Sequence, residues 1–452
     1  MEKTHTMDFT TGSIIKKFMA FMLPLALSLV LQSLYNAADR AVVGQFAGKV
    51  ALAAVGATGS ATNLILNLVV GLAAGAGIIT ANLIGAKRQD VLRKNLHATV
   101  MMGIVCGILM AILGVGLAKP ILTWMECPEN VLDLATLYMR IYFCGAPASV
   151  VYNFTSGILR TFGDSKRPMT ILGISGLVNV VLNLVFVIGF KMSVAGVALA
   201  TIISQYMSAF WTLKILFDTK DEYKLSVKEL KLPRSEALAI IRVGLPCGIN
   251  GVLFSISNVL LQSTINSFGD VIIAANTASD SVTNILYQVI AATSSACITF
   301  SGQCYGAKEY RRIHQLLLCA SGVCAAIQTV ASLIATFAPK MLLGVFTTDA
   351  AVISAGTSKL LVLCWSYVLY SASDALIGCL RGMRKTVVPT VVNIACICLL
   401  RIVWVYGIFP MLPTNLTFLY LCYPVSYVFS TGIMIAYYWD CHRRLKEPVA
   451  IA

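Results

Sequence analysis

Residues 158–168 read ILRTFGDSKRP, and residues 379–389 read CLRGMRKTVVP. The shared Leu-Arg pair and the closing proline lie 221 positions apart in the two copies. The same interval separates GAK at 85–87 from GAK at 306–308, and TNLI at 62–65 from TNIL at 283–286. Leu23-Pro24 and Leu245-Pro246 repeat at 222, so one residue has been gained or lost in between. One such match carries little weight. Several in one register make the chain two copies of a single unit.

Each unit is built of apolar runs. Of 452 residues, 58% are hydrophobic and 12% charged, against about 25% charged in a soluble domain. Mean hydropathy is +0.81. A helix needs roughly 20 apolar residues to cross a bilayer. Twelve stretches qualify: 15–37, 51–80, 95–117, 131–155, 168–189, 194–217, 238–266, 272–300, 313–337, 350–378, 388–409 and 416–439. The fold class is therefore an all-α integral membrane protein with twelve transmembrane helices in two six-helix bundles. Six spans separate the copies, an even number, so the halves are parallel repeats. Such repeats are a signature of secondary transporters, with the site between the halves.

The net charge of +14 sits in short connections, not in an aromatic-interleaved basic patch, so no nucleic acid is expected as a partner. Alternate loops hold Lys87, Arg88, Arg93 and Lys94, then Arg160, Lys166 and Arg167, then residues 220–234, then Lys308, Arg311 and Arg312, then Arg381, Arg384 and Lys385. The tail adds Arg443, Arg444 and Lys446, while the opposite loops hold only Arg40, Lys49, Lys119, Lys191 and Lys340. Basic residues mark the cytoplasmic side. Both termini are expected there, in the plasma membrane. The first eleven residues read as a tail and not as a cleaved signal. Domains are expected at 1–217 and 238–452, joined by the charged linker DTKDEYKLSVKELKLPRSEA at 218–237.

Enzyme chemistry finds no support. The sequence has no GxxxxGK[ST] loop, no HExxH and no GxSxG. The 14 cysteines form no paired CxxC pattern and read as small apolar packing residues. No cofactor and no metal motif is expected.

The chemistry-bearing residues lie inside the spans. Ser28, Gln32, Tyr35, Asn36 and Asp39 recur at i, i+4, i+7, i+8 and i+11, one stripe of a helix ending in an acid. An ionisable group in a span is a functional hypothesis by default. A shallow interfacial aspartate beside Arg40 is the competing reading. Asn179 and Asn183 share a face of span five, with Asn153 on span four and Thr201 on span six. Taken alone, such amides also read as interhelical hydrogen-bonding groups. Span seven carries Asn250, Asn258, Gln262 and Asn266 but no acid, and the Asp39 register falls there on Leu261. Span eight carries Asp280 with Asn284, Tyr287 and Gln288 on one face; Asp280 also suits a helix start near the outer surface. Asp374 is the repeat partner of Asn153, and Arg401 is a lone cation in span eleven for which Asp374 is a candidate counter-ion. Pro24, Pro147, Pro246 and Pro424 fall inside spans and are expected to kink them.

The order of these motifs carries a resemblance. Leu23-Pro24, Asp39, VVGQFAGKVALAAVG, the GAKR loop and ILRTFGDSKRP, then GQCYGAKEYRR and DALIGCLRGMRKTVVP, resemble the multidrug and toxin extrusion (MATE) family over nearly the whole chain. Within it the chain looks like the bacterial drug exporters of the MepA type. The resemblance implies a V-shaped pair of bundles, alternating access, and export of cationic amphipathic drugs in exchange for protons, sodium ions or both. It assigns cation coupling to Asp39, Asn153, Asn179, Asn183 and Thr201, and substrate contact to Gln32, Tyr35, Asp280, Asn284 and Asp374. A sodium ion at Asp39 is the one metal it leaves open. Asn183 departs from the pattern, since many bacterial members carry a second acid there. A glutamate that some members use on span seven is also missing.

The expected partners are small organic cations and the lipid bilayer, with a monomer sufficient because one chain holds both halves. A lipid-linked oligosaccharide flippase of the same superfamily is the alternative. Its cationic cavities fit less well with acids, amides and a single deep Arg401.

Overall fold

The long apolar runs form helices, as their length and lack of strand alternation require. In the computed structural model, described for residues 6–125, 127–347, 349–411 and 416–446, the first half holds α1 (Ile14–Val42), α2 (Lys49–Gly85), α3 (Gln89–Trp124), α4 (Glu129–Cys144), α5 (Ala146–Thr161), α6 (Lys166–Leu184) and α7 (Ser193–Asp218). The second holds α8 (Arg234–Asn266), α9 (Asp270–Gly306), α10 (Tyr310–Phe337), the short α11 (Pro339–Gly344), α12 (Ala350–Gly382), α13 (Val387–Asn393), α14 (Leu400–Val403), α15 (Leu416–Tyr420) and α16 (Cys422–Lys446). Residues 1–5 of the expected N-terminal tail and 447–452 of the expected basic tail lie outside the described residues.

Among the described residues eleven helices are long and apolar enough to cross a membrane, and twelve spans result when one bent pair counts as a span. That pair is α4 and α5, bent by 44°. The break falls at Gly145, and Pro147 occupies the first turn of α5. Proline lacks the N–H an interior position needs, and its fixed φ suits a helix start. Expected span eleven runs as one helical span over Val387–Met411, in which π-helical turns at Ile394–Leu399 and Trp404–Ile408 flank α14.

The repeat is written in the backbone as well as in the residues. Gly48 and Gly269, 221 positions apart, precede α2 and α9 with φ of 88° and 89°. Only glycine adopts such a φ without strain. Lys87 and Lys308 lie two residues beyond the ends of the same two helices at φ 54° and 62°, and Gly163 and Arg384 hold φ 85° and 62°.

The chain divides into two compact units, one of Met1–Asp8 and Leu23–Val252 and the other of Phe9–Met22 and Leu253–Ala452. The divisions thus fall after Asp8, inside α1 beside Pro24, and inside α8. In the first unit α3 packs on α4 and α5, and α6 and α7 pair. There α8 also crosses α2 at the backbone. A Cβ on Gly71 would lie 2.1 Å from Gly248 N, and one on Gly75 would lie 2.4 Å from Gly244 Cα. Paired small-xxx-small faces let membrane helices approach this closely. In the second unit α12 is central, packed on α9, α10 and α16.

The linker is not a free tether. Tyr223 is 1% exposed and its hydroxyl accepts from Arg167 Nη2 at 2.7 Å. Burial raises the Tyr223 phenol above its ordinary range.

Candidate functional site

The polar stripe of α1 folds as its period implies. Gln32, Tyr35, Asn36 and Asp39 line one cavity of about 110 Å³ in the first unit, together with Asn153, Asn179 and Thr201. Ser28, at the start of the stripe, is packed away at 2% exposure. Helix α6 supplies the partner of the acid: Asn183 Nδ2 donates to Asp39 Oδ1 at 2.5 Å. Asn183 Nδ2 also reaches Asn179 Oδ1 at 3.4 Å, and Asn179 Nδ2 donates to Thr201 Oγ1 at 3.4 Å. Four of the five residues assigned to coupling are therefore one hydrogen-bonded chain across α1, α6 and α7. Asn153 lines the same cavity, but its amide donates to Ser149 O at 2.8 Å within α5. Among the described residues no ion pair joins Asp39 to Arg40, the pairing the shallow reading would use.

Tyr35 is locked against α6. Its hydroxyl donates to Gly173 O at 3.0 Å, and its ring lies over Gly176, where a Cβ would come within 1.9 Å of Cε2. The cavity wall near Gln32 is thus a fixed aromatic surface with amides beside it. A proton or a small cation at Asp39 would change the charge at the end of this chain of hydrogen bonds, and α1 and α6 would feel the change directly.

The second unit has its own cavity, of about 370 Å³. Phe254, Asn258 and Leu261 line it, and 222 positions earlier stand Gln32, Asn36 and Asp39 of the first cavity. The repeat has therefore kept the cavity-lining face of the helix while replacing the acid by leucine. The carboxylate here comes from α9. Asp280 Oδ1 pairs with Lys359 Nζ of α12, and Asn276 Nδ2 donates to Oδ2 at 2.9 Å. Lys359 Nζ also donates to Asn276 Oδ1. The network runs on, with Asn276 Nδ2 on Gln262 Oε1 and Gln262 Nε2 on Asn266 Oδ1, each at 2.8 Å. Asn284 lines the cavity and accepts from Gln288 Nε2 at 3.0 Å.

Asp374 does not line this cavity. Its Oδ1 accepts from Tyr370 OH at 3.4 Å, and its backbone carbonyl accepts from Ser294 Oγ at 3.0 Å. Arg401 is 1% exposed and forms no ion pair with Asp374; its Nε donates to Ser426 Oγ at 3.3 Å, and its guanidinium carbon lies 4.4 Å from the Tyr423 ring centroid. Aromatic faces hold a cation by their quadrupole. Sequence reasoning missed Lys359, although a lone lysine inside AGTSKLLVLCW is as odd as Arg401. It also missed Asn276, which binds both members of the pair.

Comparison with known proteins follows the same two-fold division. The family model described as MatE matches residues 24–185 and again 246–406. A probable multidrug resistance protein of Bacillus subtilis, YoeA, is 25% identical over 445 residues, covering 97% of this chain and 96% of its own. The multidrug export protein MepA of Staphylococcus saprophyticus is 19% identical over 374 residues, 83% of each chain. Among solved structures, a MOP superfamily transporter from Pyrococcus furiosus, described by the reverse polarity of its binding pocket, superposes with a TM-score of 0.91 at 22% identity, over 99% of this chain and 100% of that one.

Proposed function

We propose, from the premise that this chain belongs to the MatE family of multi-pass membrane transporters, that it exports amphipathic organic compounds in exchange for an inward-moving cation. The observation that carries the reading is the chain from Asp39 through Asn183 and Asn179 to Thr201, set in a cavity that Gln32 and Tyr35 also line. A carboxylate among amides in a low-dielectric site binds a proton or a cation strongly, and its charge sets how tightly the neighbouring helices close on it. Gln32 and Tyr35 are the proposed contacts for cargo. Cationic amphipathic drugs fit, because a positive group competes with the coupling ion for the same carboxylate.

One carboxylate with amide partners serves a proton without further ligands. A sodium ion at Asp39 would have Asn183, Asn179 and Thr201 as its neutral oxygen donors. In the second unit Asp280 and Asn284 are the proposed polar contacts for cargo. Both termini are taken as cytoplasmic, since the basic loops then face inward, and one chain suffices as the working unit.

Ethidium efflux from proteoliposomes tests the reading. Wild type and Asp39→Asn are compared at equal protein, with proton and sodium gradients imposed separately. Gradient-driven export by wild type, lost in Asp39→Asn, is expected. Export by the variant at the wild-type rate would remove Asp39 from coupling. No dye movement under either gradient would favour a flippase.

A further inference from the structure

Helices α6 and α7 each carry an exposed apolar stripe that turns polar at one end. On α7 it runs through Ile203, Tyr206 and Phe210, each between 43% and 61% exposed, and ends in Lys214 and Asp218. On α6 it runs back from Val181 through Leu177 and Ile174 to Thr170 and Lys166. Large apolar side chains exposed along a membrane span face lipid. With the basic loops inward, the change from apolar to charged falls at the headgroups of the inner leaflet.

A groove of about 290 Å³ opens there. Trp211 and Ile215 supply its apolar lining, and Arg167, Lys214 and Asp218 its charges. Arg167 is already committed, since its Nε pairs with Asp164 and its Nη2 donates to Tyr223 OH at 2.7 Å. Lys214 and Asp218 are not. Both are exposed, and no ion pair among the described residues includes either. They stand at i and i+4, about 6 Å apart along the axis, and could pair with each other. Instead Lys214 Nζ lies over the Trp211 ring, 5.4 Å from its centroid. The groove therefore offers one open positive and one open negative charge, side by side at the lipid boundary.

That pattern selects its occupant. A headgroup with only a negative charge would meet Lys214 and be repelled by Asp218. A zwitterion, whose phosphate and amine are a few bonds apart, meets both. A primary ammonium has three N–H donors for the carboxylate, and such a charge-assisted bond is strong. A quaternary ammonium has none.

We infer that this groove binds the headgroup of phosphatidylethanolamine. The phosphate takes Lys214, the ammonium donates to Asp218, and the chains follow the apolar stripes of α6 and α7. The site is distinct from both cavities. It lies on the two helices that carry Asn179, Asn183 and Thr201, toward their other ends.

Quenching of Trp211 by phospholipids with brominated chains tests this on full-length protein in phosphatidylcholine vesicles. The protein has five tryptophans, and the difference between each protein and its Trp211→Phe counterpart isolates the one in the groove. Brominated phosphatidylethanolamine, phosphatidylcholine and phosphatidylglycerol are compared at equal mole fraction. In wild type the ethanolamine lipid is expected to be enriched beside Trp211 about fivefold over the other two, the range of one exposed ion pair. Asp218→Asn removes the ammonium contact. Lys214→Gln removes the phosphate contact that holds the headgroup against Asp218. Each is expected to bring the enrichment below about twofold, and both side chains are exposed, so packing is spared. Equal quenching by the ethanolamine and choline lipids in wild type, stronger quenching by the glycerol lipid, or a preference that survives either substitution overturns the inference. No gradient or cargo is present, so a failure of coupling at Asp39 leaves this measurement untouched.

Discussion

Asn183 Nδ2 donates to Asp39 Oδ1 at 2.5 Å, while Asn183 Oδ1, buried in the same place, has no hydrogen-bond partner among the described residues. One face of the amide is committed to the acid and the other is an idle acceptor. Replacing the amide by a second carboxylate tests what the pair is built to hold. Two carboxylates at this separation need a cation between them to stay ionised. Asn183→Asp is therefore expected to gain sodium-dependent stability. At sodium 100-fold above its dissociation constant the gain is about 2.7 kcal/mol. Melting temperatures in sodium chloride and potassium chloride would be compared for the variant and wild type. Equal values for the variant in the two salts would sink the idea.

The pair of Lys359 and Asp280 is lopsided, with 2% exposure on one side and 49% on the other. The member left behind decides the cost of breaking it. Asp280→Asn leaves a buried ammonium with no counter-charge and only a neutral acceptor, Asn276 Oδ1, for which about 3–5 kcal/mol is expected. Lys359→Met strands a carboxylate that water reaches, nearer the 0–1 kcal/mol of exposed pairs. Thermal unfolding in detergent should place Asp280→Asn well below Lys359→Met, with the double variant recovering part of the loss. The reverse order would mean that its neutral partner Asn276 Oδ1 is enough to hold the ammonium.

Much of this was legible in the residues, and the gaps have physical causes. The stripe from Gln32 to Asp39 could be read because a helix repeats every 3.6 residues, and those residues do share one cavity. The bend in the fourth span was signalled by Pro147. The ion pair was not legible: Lys359 and Asp280 are 79 positions apart on different helices, and how two helices rotate against each other is set by packing, which local periodicity does not encode. Nor were the π-helical turns on either side of Arg401, in a segment with no proline to mark them. The compact units divide after Asp8, inside α1 and inside α8. Sequence composition marks where a chain meets water, and that is a different question from where its packing divides.

The glycine crossing gives a prediction with an internal control. Gly71-x-x-x-Gly75 on α2 meets Gly244-x-x-x-Gly248 on α8, and a Cβ on Gly71 would fall 2.1 Å from a backbone nitrogen. Backbone cannot turn aside as a side chain can. Gly71→Ala should therefore cost about 1–3 kcal/mol through forced separation of the helices. Gly56, on the same helix α2, has open space where its Cβ would go. Gly56→Ala should be neutral or stabilise by up to about 1 kcal/mol, the helical advantage of alanine. Melting curves of the two variants should move in opposite directions or at least differ clearly. A Gly71→Ala protein as stable as wild type would show that the crossing is looser than the structure has it.

His97 is the anchor of the linker. It is 2% exposed, its Nδ1 lies 2.7 Å from Arg93 O, and its Nε2 accepts from Ser226 N at 2.9 Å. Since Nε2 accepts, the proton sits on Nδ1 and donates to the carbonyl, so the ring is neutral and held at both nitrogens. The neighbouring Arg93–Glu229 pair is short, 2.6 Å, but its side chains are 60% and 45% exposed. Exposed pairs contribute about 0–1 kcal/mol, whereas removing His97 leaves a backbone donor without its acceptor. His97→Ala should therefore loosen residues 218–233, and Arg93→Ala should not. Limited trypsin digestion reads this directly, at Lys224 and Lys228 within the linker. Cleavage there is expected to speed up several-fold in His97→Ala and to stay near the wild-type rate in Arg93→Ala. Equal cleavage rates in the two variants would assign the docking to the surface charges and leave the buried histidine a packing residue.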